Sequence, residues 1–505
     1  MSKKKKQIDL TPYENREALC PHFGKCGGCT YQKISYDRQL EMKASLVKGL
    51  LDEACEALGK EPDYRFEGIL PSPMEEGYRN KMEFTFGDEC KDGPFALGLH
   101  QKGSFMNIVN VTDCHLIHPD MNLVRNTIRD YFQPFYEAGQ VSFYNHRSHQ
   151  GWLRHLLLRR AAATGEILAA LVTTSQMDPE TSQKMLDELT ERLKMLDVEG
   201  TITGILHITN DSLADIIQSD KTDILFGRDY IMEEVLGLKF RISVFSFFQT
   251  NTKGAEVLYA KAREYASFAH GMLYDLYSGT GTITQLMADA VEEAVGVEIV
   301  KEAVEAAKKN AALNGISNVR FIAADVLAAL DDLPKPDSLI LDPPREGINP
   351  KALGKILRYG VDHIVYVSCK PTSLGRDLRG FFAAGYQLEK ACCVDMFPET
   401  EHVETVVLLS KGNISSEKIR VEFDLEDMDM SDFKERATYD EIRKWVQKKY
   451  GFHVTNLNIA QLKKKHGIIE RENYNKPKSP DSHQPGCPPE KQKAIEDALA
   501  HFQMI

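Results

Sequence analysis

The chain has 505 residues, enough for two or three domains with substantial cores, and its 42% apolar and 27% charged residues are the composition of a soluble globular protein. A formal net charge of −12 excludes a general nucleic-acid coat protein, because phosphate contacts need clustered Lys and Arg. No apolar run is long enough to span a bilayer, and the basic start Met1-Ser2-Lys3-Lys4-Lys5-Lys6-Gln7 has no apolar stretch behind it, so it is not a secretory signal. These features predict a cytoplasmic protein with no membrane partner, working as a monomer.

In chain order, the basic tail leads to a cysteine loop, Cys20-Pro-His-Phe-Gly-Lys-Cys26-Gly-Gly-Cys29, whose glycines let backbone wrap a metal. A closed site needs a fourth ligand, and Cys114 in Thr112-Asp113-Cys114-His115-Leu116 is the best candidate, with His22 and His115 as rivals. In a cytoplasmic enzyme such cysteines are metal ligands or catalysts rather than disulfides, and four thiolates suit tetrahedral zinc or an iron–sulfur cluster. Cys55 and Cys90 read as structural. Residues 35–57 follow with Leu40, Leu46, Leu50 and Leu51 at near-helical spacing. From about Arg65 to Phe240 short β-like runs such as Lys81–Phe86, Ala96–His100 and Gly204–Ile208 are broken by glycine, with helices near Met121–Phe135 and Pro179–Leu193. This predicts a mixed α+β domain. Base concentrates there at His146-Arg147, Arg154-His155 and Arg159-Arg160, which predicts a local basic surface facing a folded RNA.

From about Phe247 strands and helices alternate. Strands are predicted at Met272–Tyr277, Ala294–Glu298, Val319–Ala323, Ser338–Leu341, Ile364–Val367, Cys393–Met396 and Val403–Leu409, with helices such as Val300–Leu313 and Thr372–Ala384 between them. The expectation is an α/β, doubly wound sheet with ligands at the carboxyl ends of its strands. The turn Ser278-Gly279-Thr280-Gly281-Thr282 lets backbone approach a ligand, and Glu298 ends the next strand, where an acid accepts from ribose hydroxyls. Gln285 stands where the third glycine of a dinucleotide fingerprint would be, so S-adenosylmethionine fits better than a pyrophosphate cofactor. Asp325 reads equally as an acceptor for an adenine amino group or as a helix N-cap. Beyond Ser410 come an acidic stretch, Glu422–Asp429, a small helical module whose second helix carries Lys463-Lys464-Lys465, a proline-rich segment from Pro477, and a last helix at Glu490–Phe502.

The chemistry is carried by Cys369, in Tyr366-Val367-Ser368-Cys369-Lys370-Pro371, downstream of Leu341-Asp342-Pro343-Pro344-Arg345. Most methyl acceptors are already nucleophilic and need no thiol. A pyrimidine C5 is not, and attack of a thiolate at C6 activates it; a base then removes the C5 proton. Glu404 in His402-Val403-Glu404-Thr405 is the candidate base and His402 its competitor, while Asp342 would hold the cofactor or orient the base beside Arg345. Cys392 and Cys393 read as core.

Together these residues, with Phe247-Phe248-Gln249-Thr250-Asn251 and Phe397-Pro398, resemble the RNA (uracil-5-)-methyltransferases, and within them the 23S rRNA branch, from about Cys20 to Ser410. The resemblance implies a class I S-adenosylmethionine-dependent methyltransferase fold, Rossmann-like, with cofactor held by Gln249, Tyr277, Glu298 and Asp342, catalysis by Cys369 and Glu404, and a [4Fe-4S] cluster on Cys20, Cys26, Cys29 and Cys114. It implies a structured RNA as partner, 23S rRNA first and the T-loop of tRNA as the alternative. The implied organisation is a tail and cysteine loop (1–31), a helical segment packing on the catalytic domain (32–63), a central RNA-binding α+β domain (64–246), the catalytic domain (247–412) and an acidic linker with a C-terminal module (413–505). That module departs from the family, many members of which begin with a small β-barrel RNA-binding domain, and its basic second helix reads equally as a replacement for those RNA contacts or as a solvated helix face. The family often has Asn where this chain has Thr280, Thr282 and Lys370. Rival readings are a non-catalytic iron–sulfur RNA-binding protein and an amino-group methyltransferase, the latter leaving Cys369 without a role.

Overall fold

The computed structural model describes residues 9–59, 61–214, 218–412, 439–466 and 488–501. The basic tail, the acidic stretch Glu422–Asp429 and most of the proline-rich segment lie outside the described residues. The chain divides into two compact units, Met1–Val421 and Glu422–Ile505. No described helix is long and apolar enough to cross a membrane.

The first unit opens with α1 (Tyr36–Glu56) and β1 (Arg65–Leu70). Then come β2 (Lys81–Asp88), β3 (Phe95–His100), β4 (Ile108–Val109), α2 (Pro119–Glu137), β5 (Leu153–Arg160), β6 (Glu166–Thr173), α3 (Pro179–Lys194), β7 (Thr201–Thr209) and β8 (Lys221–Gly227). These strands form a seven-stranded sheet, ordered β4-β3-β2-β5-β6-β7-β8. It is antiparallel except where β6 and β7 run together. A hairpin, β9 (Tyr230–Val235) and β10 (Leu238–Ser243), leads into the second sheet.

That sheet is built from α4 (Thr252–Tyr265), β11 (Met272–Leu276), α5 (Thr282–Leu286), β12 (Glu293–Glu298), α6 (Lys301–Leu313), β13 (Val319–Ala323), α7 (Val326–Asp332), β14 (Ser338–Leu341), α8 (Pro350–Tyr359), β15 (His363–Ser368), α9 (Pro371–Ala383), β16 (Tyr386–Val394) and β17 (Glu404–Lys411). Its eight strands are ordered β1-β16-β17-β15-β14-β11-β12-β13, and β17 alone runs antiparallel to its neighbours. Strand side chains alternate between faces, so both faces must be covered. Leu273, Ile340, Val365 and Val406 pack with α4 and the β9–β10 hairpin on one side. Tyr274, Leu339, Leu341, Ile364 and Tyr366 pack with α8 and α9 on the other.

Helix α1 belongs to this second face. Gln39, Lys43, Val47, Leu51 and Cys55 are buried at every fourth position, one stripe on a helix, and Val47, Leu51, Ala54 and Cys55 share a core with Leu374 and Leu378 of α9. Strand β1 adds to the sheet edge in parallel with β16, Arg65 opposite Lys390. Two expectations change. Strand β16 starts at Tyr386 rather than Cys393, because its first half lies toward the sheet edge and alternates buried and exposed residues, which hides it from an apolar search. The basic surface at Arg154, His155, Arg159 and Arg160 is not a surface. Arg154 and Arg159 are each 1% exposed. Arg154 donates to the carbonyls of Asn210, Ser212 and Ala214, Arg159 to those of Val244 and Ser246, and Arg160 pairs with Asp120. Buried charge has to be satisfied internally, and these guanidiniums tie strand β5 to the loops around it.

Candidate active site

Strand register assembles the site. Ser368, the last residue of β15, pairs with Thr405 of the antiparallel β17. Cys369 therefore leaves β15 at the same end where Glu404 enters β17, side by side. On the next strand Leu341 pairs with Tyr366 and with Leu276, and Leu276 pairs with Val297. Asp342, Tyr277 and Glu298 follow these residues directly, so five of the residues singled out from sequence lie along one carboxyl edge. The edge spans β11, where the strand order reverses, the place where open α/β sheets bind ligands.

The cofactor-side geometry is specific. Tyr277 has a φ of +70°, rare for a residue with a side chain, and Gly279 and Gly281 follow at +53° and +72°. Glu298 accepts from Gly279 N at 3.0 Å and from Val300 N at 2.9 Å, so its carboxylate fixes the glycine turn. A side chain at Gly281 would meet Phe321 at 2.4 Å. Asp325 accepts from Ala328 N at 3.2 Å and caps α7, which is the plain structural role foreseen for it.

The chemical side is dominated by carboxylates held away from water. Burial pushes Glu404 up to about 7, with the Arg345 guanidinium opposing. Asp342 is raised well above the usual carboxylate range by burial and by Glu404 and Asp275, and its carboxylate makes no hydrogen bond among the described contacts. Burial also takes the Cys369 thiol up to about 12, helped by Glu404 and Asp342 and countered by Arg345. The thiol is half-buried and faces these charged groups rather than packed hydrocarbon. His402 lies at the surface with its ring set edge-on to Phe397, and partial desolvation of that ring together with Arg345 lowers its pKa.

Gln249 reaches the site from outside the sheet. Its side chain hydrogen-bonds the Tyr259 hydroxyl, and that buried phenol is itself raised by burial and by Asp342, Asp275 and Glu404. Tyr259 and Asp275 carry no signal of their own in the sequence analysis. Asp275 is fully buried, accepts from Thr284 Oγ1 at 2.6 Å, and is pushed to about 7. The helix bearing Tyr259 had no predicted counterpart, and Asp275 looked like an ordinary strand residue before a turn.

The cysteine loop differs from expectation. Cys20, Cys26, Cys29 and Cys114 do neighbour one another: Cys29 and Cys114 are raised by burial and by other thiols of the set. Among the described residues, however, no three His, Cys, Asp or Glu side chains converge as a metal set. The sulfurs are turned to local partners instead: Cys20 toward Asp113 O at 3.9 Å, Cys26 toward Gly28 N at 3.3 Å, and Cys29 toward Gln32 Nε2 at 3.5 Å. Cys20, Cys26, Cys29 and Cys114 carry free thiols. His22 sits against Thr112, and His115 against Glu76 and Asp113.

Fold and site together define a methyltransferase of the doubly wound α/β class. The family model of tRNA (uracil-5-)-methyltransferases matches residues 165–412. An uncharacterized RNA methyltransferase of Clostridium acetobutylicum is 48% identical over 394 residues, 78% of this chain and 83% of that protein. Another, from Caldanaerobacter subterraneus, is 45% identical over 407 residues, covering 80% and 87% of the two chains. The crystal structure of the Pyrococcus abyssi tRNA (uracil-54, C5)-methyltransferase in complex with S-adenosyl-L-homocysteine is similar with a TM-score of 0.59 and 26% identity, over 76% of this chain and 86% of that one. The chain belongs to the RNA (uracil-5-)-methyltransferase family.

Proposed function

We propose that this protein methylates C5 of a uridine in 23S rRNA with S-adenosylmethionine, through a covalent bond between Cys369 and C6. The carrying observation is the pairing of Ser368 with Thr405, which sets a thiol and a buried carboxylate shoulder to shoulder at the ligand edge of the sheet. Support for the cofactor comes from the Glu298-fixed glycine turn, the uncompensated Asp342 carboxylate and the similarity to an enzyme solved with the demethylated cofactor. Tyr277, Glu298, Gln249 and Asp342 would hold it, and the sulfonium supplies the methyl group.

The residues then divide the work. The half-buried Cys369 thiol gives up its proton to solvent, and its sulfur adds to C6, sending the ring electrons toward C5 and the neighbouring carbonyl. Once C5 carries the methyl group, Glu404 as carboxylate takes the C5 proton, the C5–C6 double bond re-forms, and the sulfur leaves. Arg345, by opposing the rise of both pKa values, favours thiolate and carboxylate together. The uridine must be unstacked to reach this edge, which points to a loop nucleotide.

Cys369→Ala is expected to abolish methyl transfer from labelled cofactor to rRNA. Glu404→Gln is expected to add the methyl group but to remain bonded to RNA, visible as a complex that survives a denaturing gel. Full turnover by Cys369→Ala would sink the covalent mechanism, and equal or better methylation of tRNA in a parallel assay would move the substrate to the T-loop. The [4Fe-4S] cluster on Cys20, Cys26, Cys29 and Cys114 belongs to the same proposal. Cys26 and Cys114 are buried, Cys20 and Cys29 half-buried, and thiols of this set raise one another's pKa, so iron would stabilise them as thiolates once they turn from their local partners, with a structural rather than redox role. Iron and sulfide analysis of anaerobically purified protein tests it.

A further inference from the structure

Phe105 is 64% exposed, a large aromatic ring that gains nothing from solvent. It is not on a floppy tip. Gln101 N donates to Asn107 O at 2.8 Å, Asn107 Nδ2 donates to Gln101 Oε1 at 3.0 Å, and Ser104 Oγ accepts from both Met106 N and Asn107 N. The His100 ring stacks on Phe105 with centroids 5.7 Å apart and planes 19° off parallel, and His146 stands 6.1 Å away.

Three loops lock together here. Lys102 N donates to Lys25 O at 2.7 Å and Gly27 N to His100 O at 3.3 Å, fastening the cysteine loop to the hairpin. His146 comes from a third loop, which Asn145 shapes by accepting from Arg147 N and Ser148 N. Each of the three loops carries an exposed cation: Lys25, Lys102 and Arg147. Acid is present too, since Glu89 and Asp113 act on His22 in the same cysteine loop.

We propose that Phe105, backed by His100 and flanked by His146, is a stacking platform for an unpaired base of the substrate RNA, with Lys25, Lys102 and Arg147 taking the adjoining phosphates. A rigid, exposed aromatic ring with separated cations on the joined loops matches single-stranded nucleic acid, because every base offers a π-face and every nucleotide a phosphate. The inference rests on the RNA-modifying reading above and adds to it a grip that is separate from Cys369.

The test uses the full chain and an rRNA fragment containing the methylated loop. Phe105→Ala is expected to weaken RNA binding about tenfold, the loss of one base stack, and to raise KM while kcat, cofactor affinity and melting temperature stay put. Phe105→Trp restores binding. Arg147→Gln, a surface change with no packing to lose, weakens binding and flattens its salt dependence. Wild-type affinity in Phe105→Ala overturns the platform and is the result a protein-docking patch would give. Wild-type protein that binds RNA yet transfers no methyl group would instead overturn the proposed function and leave the platform standing on its affinities.

Discussion

Glu404 is a carboxylate that the fold buries where its charge is costly, and two consequences follow with opposite faces. As a base it works only without its proton, so kcat/KM is expected to rise with pH through about 7 and then level off, a limb that Glu404→Gln removes along with turnover. For stability the sign is reversed. The folded pKa is raised above the unfolded one, so the folded state binds the extra proton between about 4.5 and 7, and the benefit is complete below that window and lost as pH rises through it. Glu404→Gln keeps the shape and discards the charge. It is therefore expected to be more stable than wild type by on the order of 1–3 kcal/mol above that window, with the difference vanishing below it, as urea titrations at several pH values will read. An equal gain at all pH values would mean that folding leaves the pKa of this carboxyl unshifted. Cys369, Glu404 and Asp342 were legible because each ends or begins a strand within a distinctive short segment. Asp275 and Tyr259 were not, since what matters in them is burial beside Asp342 and, for Tyr259, Glu404, and burial is a property of the assembled sheet.

The element that carries most of the unforeseen structure is the segment between β16 and β17. Asp395, 0% exposed, pairs at 2.7 Å with Lys43 of α1, 1% exposed, and Lys43 also donates to Phe397 O at 3.0 Å. Farther along, Glu399 has a φ of +68°; its amide donates to Gln39 Oε1, its carbonyl accepts from Thr30 N and Tyr31 N, and its carboxylate pairs with Arg16. The N-terminal segment thus clamps, along its length, the loop that delivers Glu404. Removing one member of a buried pair leaves an uncompensated charge, so Lys43→Met is expected to cost about 3–5 kcal/mol in urea unfolding and to lower kcat through the displaced loop. Replacing Asp395 together with Lys43 by apolar residues should return most of the stability. A single Lys43→Met variant as stable as wild type would show that the pair is dispensable. The helix itself was readable from the spacing of its apolar residues. Its destination on the catalytic domain was implied by the family resemblance alone, and the particular contacts were not legible, because a contact between residues 43 and 395 leaves no local trace in either segment, and the same holds for the pairing of β1 with β16.

At the scale of the whole molecule, the residues after the methyltransferase sheet form a unit with a core of its own. Helices α10 (Tyr439–Tyr450), α11 (Asn456–Lys465) and α12 (Pro489–His501) bury Ile442, Val446, Ile459, Leu462, Ile495 and Leu499 against one another, and none of these belongs to the cores of the first unit. The sequence suggested that the basic run on α11 supplies RNA contacts. In the structure Lys463 is 2% exposed, and Lys465 pairs with Glu496 of α12 at 2.9 Å, beside His466 on the same carboxylate. Lys463 is withdrawn into the module and Lys465, though 57% exposed, is engaged by Glu496, which leaves α11 a weaker phosphate site than its run of three lysines suggested. A chain ending at Gly412, just past the last strand, is accordingly expected to melt at the same temperature as the first unit of the intact protein and to bind and methylate RNA as well as the full chain does. If that truncated enzyme loses RNA affinity with its fold intact, cations elsewhere on the module, such as the exposed Lys448 and Lys449 of α10, are the contacts that the lysines of α11 are not.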